Sequence, residues 1–463
     1  MASTRLERQQ IVISESESKR LIDLALAHAG KRVDGVEVTV TGSNFATSRF
    51  ANNNMTQNQA PERVSVSVRV ISGKRQIRLS SDDISQSGIE HLVDNAIKAV
   101  ALLPEDPTVL PLPALALTEP LARDVDFNRY DRETGEMSAD QRSDSVNSMI
   151  EAAKKHNLSC AGTYGAGGDS IAIGNSNGMF HYHNESACEC SVTAVAANSS
   201  GWAKVHNPKS IHVDARALAE SAAKNAILSA DPKDVPPGKY TVILPPSAVV
   251  DLLGFLWGDF SATSHIDKLS SLLGKVGQKV FGENINIKDD VFHPMQAGAR
   301  FDGEGLPRTV VTLVDKGVVK NLVYGRKSAA KMNAKPTGHG VSEPSPEGEF
   351  PVNLVMEGGT ASIDEMVKST DRGILLSRVW YVRLVDPTTI LLTGMTRDGT
   401  FLIENGKISY GIKNLRFNVS VIDMLNNVLT LGPSVRAAGE DSFPAVVPAL
   451  KVANFNFSST TKF

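Results

Sequence analysis

Along the first half of the chain, apolar positions recur with two alternating periods. Leu21, Leu24 and Ala25 make a helical stripe, opened by a Ser14-x-x-Glu17 capping box and closed by Gly30. Val36, Val38 and Val40 then alternate with polar residues, as do Val64, Val66, Val68 and Val70, which predicts half-buried strands. SGKR at 72–75 turns the second strand back into QIRLSS, and Ile89, Leu92, Val93, Ala96 and Val100 return to helical spacing. The proline-bearing LLPEDPTVLPLPALALTEP excludes regular helix and is expected to wrap the surface. A third helix is predicted over 139–156, then a hairpin turning at Asn177-Gly178 within SIAIGNSNGMFHYH, then a fourth helix over 215–229.

SADPKDVPPGKY, with three prolines and a glycine in twelve residues, reads as a linker. Beyond it strands dominate, with hairpin signals at VDKG near Gly317 and ENGK near Gly406. Two helices interrupt them: one runs through VVDLLGFLWGDFSATSHIDK, the other through SVIDMLNNVL. The expected fold class is α+β: an N-terminal α/β-sandwich-like domain over 1–232, then a mainly β C-terminal domain over 233–463 with few helices.

Composition narrows the partners. Of 463 residues, 41% are hydrophobic and 21% charged, and 48 basic against 51 acidic residues leave a net charge of −3. That balance gives no general electrostatic reason to expect nucleic acid or an anionic membrane. No apolar run reaches the ~18 residues needed to span a bilayer. MASTRLERQQ is polar and lacks a signal-peptide core, and three cysteines are too few for a disulfide scaffold. The expected compartment is the cytoplasm.

Three stretches invite chemistry. HYHNESACEC offers His181, His183, Cys188 and Cys190, types that can hold a tetrahedral metal. Their spacing matches no zinc finger and alternation along strands produces such pairs, so plain sheet is expected. GTYGAGGDS is glycine-rich, but a strand rather than a helix N-terminus follows it, so a flexible turn is expected instead of a phosphate loop. YGRKSAAKMNAK is short and without interleaved aromatics, which favours a solvated basic face over a nucleic-acid footprint.

The later segments FDGEGLPRTVVTLVDKG, MEGGTASIDEM and RDGTFLIENGK, with IAIGNSNG upstream, resemble the TldD/PmbA family over essentially the whole chain. The most specific parts are 302–305, 357–360 and 397–406. In the catalytic branch of that family, the helix at VVDLLGFLWGDF carries His-Glu-x-x-x-His, and a cysteine near the C-terminus completes a zinc site. Two imidazoles and a thiolate leave one zinc position for water, and the glutamate takes that water's proton. Laid on this sequence, the motif falls on Gly254, Phe255 and Asp259, and the late cysteine on Ala438. None but Asp259 can ligate. Asp259 and His265 stand six residues apart, on different faces of a continuous helix, and His293 and His339 are expected to be isolated loop residues.

The resemblance therefore implies the PmbA/TldE-type branch. Such a chain is a non-catalytic subunit with no metal of its own, zinc being expected only in a TldD-like catalytic partner. An extended or unfolded peptide, such as a natural-product precursor or an unfolded antitoxin, would enter as an added strand along a free sheet edge. Two other readings stay open: an autonomous metallopeptidase with an unorthodox site, and a peptide-binding regulatory homodimer.

Overall fold

The computed structural model describes residues 12–118, 127–440 and 442–461. The polar N-terminal decapeptide and residues 119 and 120 of the proline-bearing stretch lie outside them. Eight strands form one sheet in the N-terminal half: β1 (Gly35–Ser43), β2 (Ala46–Ala51), β3 (Asn54–Gln59), β4 (Arg63–Ser72), β5 (Arg75–Ser81), β6 (Ser159–Asn175), β7 (Phe180–Val195) and β8 (Ser200–Asn207). The long β6 is its spine. One edge of β6 pairs with β2 and then β1, while the other pairs antiparallel with β7, from Ser159 opposite Val195 to Gly174 opposite Phe180.

Helices cover one face. Glu15–Ala29 and Gln86–Val100 bury Leu21, Ala25, Ile89 and Val93 against the valines of β1 and β4. Ala139–Lys155 and Ala215–Leu228 bury Val146, Met149 and Ala222 against Cys188, Cys190 and Tyr164. The Ser14 hydroxyl accepts from the Glu17 N–H, as its sequence position predicts.

The other face is not solvated, which corrects the half-buried reading of β1. Glu37 and Thr39 are buried along with Val36, Val38 and Val40. Arg78 donates to Glu37 at 2.5 Å and to the Glu343 carbonyl at 2.6 Å, and Lys327 donates to the Glu343 carboxylate at 2.7 Å. The C-terminal half thus lies over the polar side of the alternation, where charges are tolerated because each meets an opposite charge. Further along the sheet, His181 stacks on Phe301 with ring centroids 5.2 Å apart.

GTYGAGGDS is neither phosphate loop nor turn. It lies inside β6, paired on both edges. Its glycines answer to crowding: a Cβ on Gly162 would stand 2.1 Å from the Ser191 carbonyl oxygen, and one on Gly167 2.4 Å from Phe45 Cα.

In the C-terminal half, strand Arg372–Asp386 pairs with Gly238–Leu244, that with Leu450–Thr460, then Leu415–Ser420, then Leu391–Glu404, which pairs back to Arg372–Asp386. The ring is a small barrel and has no free edge. A second, six-stranded sheet runs from Val318–Val319, whose outer side pairs with the backbone at 277–279, to Val435–Ala437 at its other end. The helix expected through VVDLLGFLWGDFSATSHIDK is broken. It spans Pro246–Leu253, ends with Gly254 at its C-cap, and gives way to a 3-10 turn over Trp257–Phe260 and a separate helix over Ala262–Ile266. Ser261 starts that last helix by accepting from the Ser264 N–H.

Two further short helices, Arg326–Met332 and Ile363–Lys368, escaped the two-helix expectation because neither is long enough to show a period. One buried carboxylate organises two of these pieces. Glu349 accepts from Gly325 N and the Ser328 hydroxyl through one oxygen, and from the Ser261 hydroxyl and Thr263 N through the other. YGRKSAAKMNAK is accordingly no simple solvated face. Arg326 reaches the Pro111 carbonyl across the joint between the two halves, and Lys327 holds Glu343, whose carbonyl accepts from Arg78 of the other half.

Crowding inside β6 gives a direct check. Gly167→Ala should destabilise the protein by about 1–3 kcal/mol through overpacking against the Phe45 backbone. The readout is a lower denaturant midpoint with an unchanged slope.

Candidate functional site

The last turn of the Pro246–Leu253 helix, the turn after it, the barrel strand around 379–383 and the loop residues Glu440, Ser442 and Phe443 line a cleft of about 260 Å³. Its wall is mainly apolar, with Phe255, Trp257, Phe350, Val379 and Val382 among its lining residues, and Asp251, Glu440 and Ser442 supply the polar contacts. Asp251 and Gly254 share a helix face at i, i+3 spacing, so both meet the loop. The Asp251 carboxylate accepts from Glu440 N at 2.8 Å and packs so closely on Gly439 that a Cβ there would stand 2.1 Å from Oδ1.

The four motif positions part company here. Gly254 borders the cleft, and a Cβ on it would meet the Ser442 hydroxyl oxygen at 2.7 Å, so the loop stands where a first ligand's side chain would begin. Phe255 lines the cleft with an apolar ring. Asp259 does not line it. Its carboxylate accepts from Ser271 N and from the Ser270 hydroxyl, and its carbonyl accepts from Ser270 at 2.9 Å. Burial pushes the Asp259 carboxyl above its ordinary value, against those hydrogen bonds. Ala438 is buried at the root of the loop.

These residues do not fit a zinc ion: a hydrogen, a phenyl ring, a carboxylate tied elsewhere and a methyl cannot form its shell. Among the described residues, no three His, Cys, Asp or Glu side chains gather as a metal-holding group.

The remaining histidines and cysteines stay apart. His265 sits with a ring nitrogen 2.9 Å from the Asp259 carbonyl, a contact possible only because the helix breaks between them. His339, expected as a surface residue, is 1% exposed and 3.0 Å from the equally buried Asp289. His293 is half-buried, with Met295 N donating to its ring at 3.3 Å. On β7, His181 and His183 point to one face and Cys188 and Cys190 to the other, since their positions differ in parity. Burial pushes the Cys160 and Cys188 thiols up to about 11, far from the thiolate a metal requires.

Sequence reasoning missed the residues that hold the cleft together. Arg378 donates to Asp398 at 2.8 Å and to Glu440, with its guanidinium between Trp202 at 4.8 Å and Trp380 at 5.0 Å. Asp398 also accepts from the Ser200 hydroxyl at 2.5 Å, across the joint to the N-terminal sheet. Only the position of Asp251, one turn before Gly254, carried a signal. The 302–305 segment, among those most specific to the resemblance, proves to be a tight turn tied to the loop at Gly340. Asp302 accepts from Glu304 N and Leu306 N, both at 2.9 Å, and from Gly340 N at 2.8 Å.

Three models match in order: PmbA/TldA metallopeptidase domain 1 at residues 36–100, the central domain at 132–230 and the C-terminal domain at 237–459. The chain belongs to the PmbA/TldD metallopeptidase family. Metalloprotease PmbA of Escherichia coli O157:H7 is 23% identical, over 96% of this chain and 98% of its own length. A metalloprotease TldD homolog of Buchnera aphidicola subsp. Acyrthosiphon pisum is 27% identical over 52% of each chain. The crystal structure of TldE from Thermococcus kodakarensis superposes with a TM-score of 0.85 at 19% identity, over 95% of this chain and all of that one, which shows a shared fold. A peptidase-family role follows for this PmbA/TldD member. In it, one sheet spans the segments matched by the first and central domain models.

Glu304, in the same turn as Asp302, offers a pH signature. Burial, and then the neighbouring Asp302 carboxylate, push its carboxyl from 4.5 up to about 7. The folded state therefore holds this proton more tightly than the unfolded state. Its contribution to stability is fullest below 4.5 and declines as pH rises towards about 7. Glu304→Gln should flatten that decline, measured as unfolding midpoint against pH.

Proposed function

We propose that this chain is the non-catalytic, TldE/PmbA-type subunit of a heterodimeric zinc metallopeptidase that acts on unfolded or extended peptides in the cytoplasm. The observation that supports this most is the fate of Asp259. The one motif position able to ligate has its carboxylate bound to Ser270 and Ser271, outside the cleft. Its relatives include both a TldD homolog and a TldE, which supports a pairing of the two kinds of chain.

In this reading zinc, the water it activates and the glutamate base all belong to the TldD-like partner. This chain completes the chamber. Val435–Ala437, the end strand of the six-stranded sheet, leads into the loop that walls the cleft and can take a peptide backbone as an added strand. Phe255, Trp257 and Phe350 give that peptide an apolar surface to lie against. No helix among the described residues is long and apolar enough to cross a membrane.

The test is a cleavage assay on an unfolded peptide. The isolated chain should cleave at the background rate. Adding the His-Glu-x-x-x-His chain of the same genome should raise cleavage by orders of magnitude, and a chelator should abolish it. Chelator-sensitive cleavage by the isolated chain would favour an autonomous peptidase and defeat the reading. A chain that only self-associates and leaves its relative's activity unchanged would point to a regulatory homodimer.

A further inference from the structure

Directly after the vacated motif, the chain displays aliphatic side chains to solvent. Leu269 is 73% exposed, Leu273 46% and Val276 45%, three within eight residues. Scattered exposed leucines are ordinary, but a group on one loop calls for a cover. Lys268, Lys275 and Lys279 lie among them. Lys268 and Lys275 make no ion pair among the described residues, and Lys279 meets Glu283 only at 3.7 Å on the surface.

The loop is held firmly in place. Leu269 N donates to the Ser264 carbonyl at 2.8 Å, and the Ser270 hydroxyl and Ser271 N donate to Asp259. Leu272 is fully buried in the main C-terminal core. At the far end, Gly277 N donates to Val319 O at 2.7 Å and Val319 N to Gln278 O at 3.0 Å. A surface fixed before binding loses little entropy on docking. Asp259, at a former ligand position, is one of the anchors.

We propose that the 268–279 loop is a docking element for the catalytic TldD-like chain, seating Leu269, Leu273 and Val276 on an apolar surface rimmed by carboxylates. The inference rests on the heterodimer reading and adds the place and chemistry of contact. Charge complementarity selects the occupant. A twofold contact between two copies would bring two positively charged patches together, whereas an acidic rim pairs with the lysines and speeds encounter.

The test measures binding of the His-Glu-x-x-x-His chain of the same genome to the full-length protein. Leu269→Glu with Leu273→Glu should weaken the complex by about tenfold or more, as loss of central apolar contacts does. Lys268→Glu with Lys275→Glu should slow association at low salt, by an amount that shrinks as salt rises. Leu429→Glu, at a leucine 56% exposed elsewhere, should leave binding unchanged. Each variant's thermal unfolding curve verifies folding. Wild-type affinity in the double-leucine variant overturns the docking inference alone. Loss of self-association or of binding to anionic vesicles, with the complex unaffected, also overturns it. A wild-type chain that forms no complex overturns both the docking inference and the heterodimer reading.

Discussion

One buried cation connects the parts that matter. Arg378 holds Asp398 on the neighbouring barrel strand and Glu440 on the cleft loop, between the indoles of Trp202 and Trp380. Its charge is supported by two carboxylates and two aromatic faces, without which a guanidinium 6% exposed would be strongly destabilising. From it, contact runs both ways. Asp398 reaches Ser200 on the N-terminal sheet, and Glu440 places the backbone N–H that Asp251 accepts. The loop over the short helix is thereby fixed from both sides, and Ser442 is set against Gly254. The shape of the cleft is a consequence of this arrangement.

The same arrangement explains how a frame of the metallopeptidase family can pack around residues that do not fit a zinc ion. A zinc site needs donors that share one point, and each needs support from behind. Here the helix and the turn after it keep their packing through Leu252, Leu253 and Leu256, all fully buried, while the donor positions have taken other tasks. Phe255 adds apolar surface where a glutamate would have to be desolvated. Asp259 anchors the following loop. Packing depends on volume and polarity and survives many substitutions, whereas coordination fails with the loss of individual atoms.

The alternation of valines and the caps made β1, β4 and the N-terminal helices legible, because those elements obey local periodicity. What covered the polar side of β1 was not legible, since Glu37 meets Arg78 and Glu343 only through tertiary folding. The glycines of β6 misled for the same reason: their cause is Phe45 and Ser191, both distant in sequence. Closure of the barrel depends on the pairing of Arg372–Asp386 with strands on both sides, which no periodicity records. At the site, the residue types at Gly254, Phe255 and Asp259 were readable from the sequence alone. The direction of Asp259 was not, because the helix break at Gly254 turns that carboxylate towards Ser270 and Ser271.

The central claim is that this polypeptide, in a family of metallopeptidases, has no zinc site of its own. Titration of the isolated, metal-free chain with zinc, followed by metal analysis after gel filtration, addresses it most directly. The account predicts protein that emerges without metal. A full equivalent of zinc carried through the column, and lost when Asp259 is replaced by alanine in an otherwise folded chain, would contradict it.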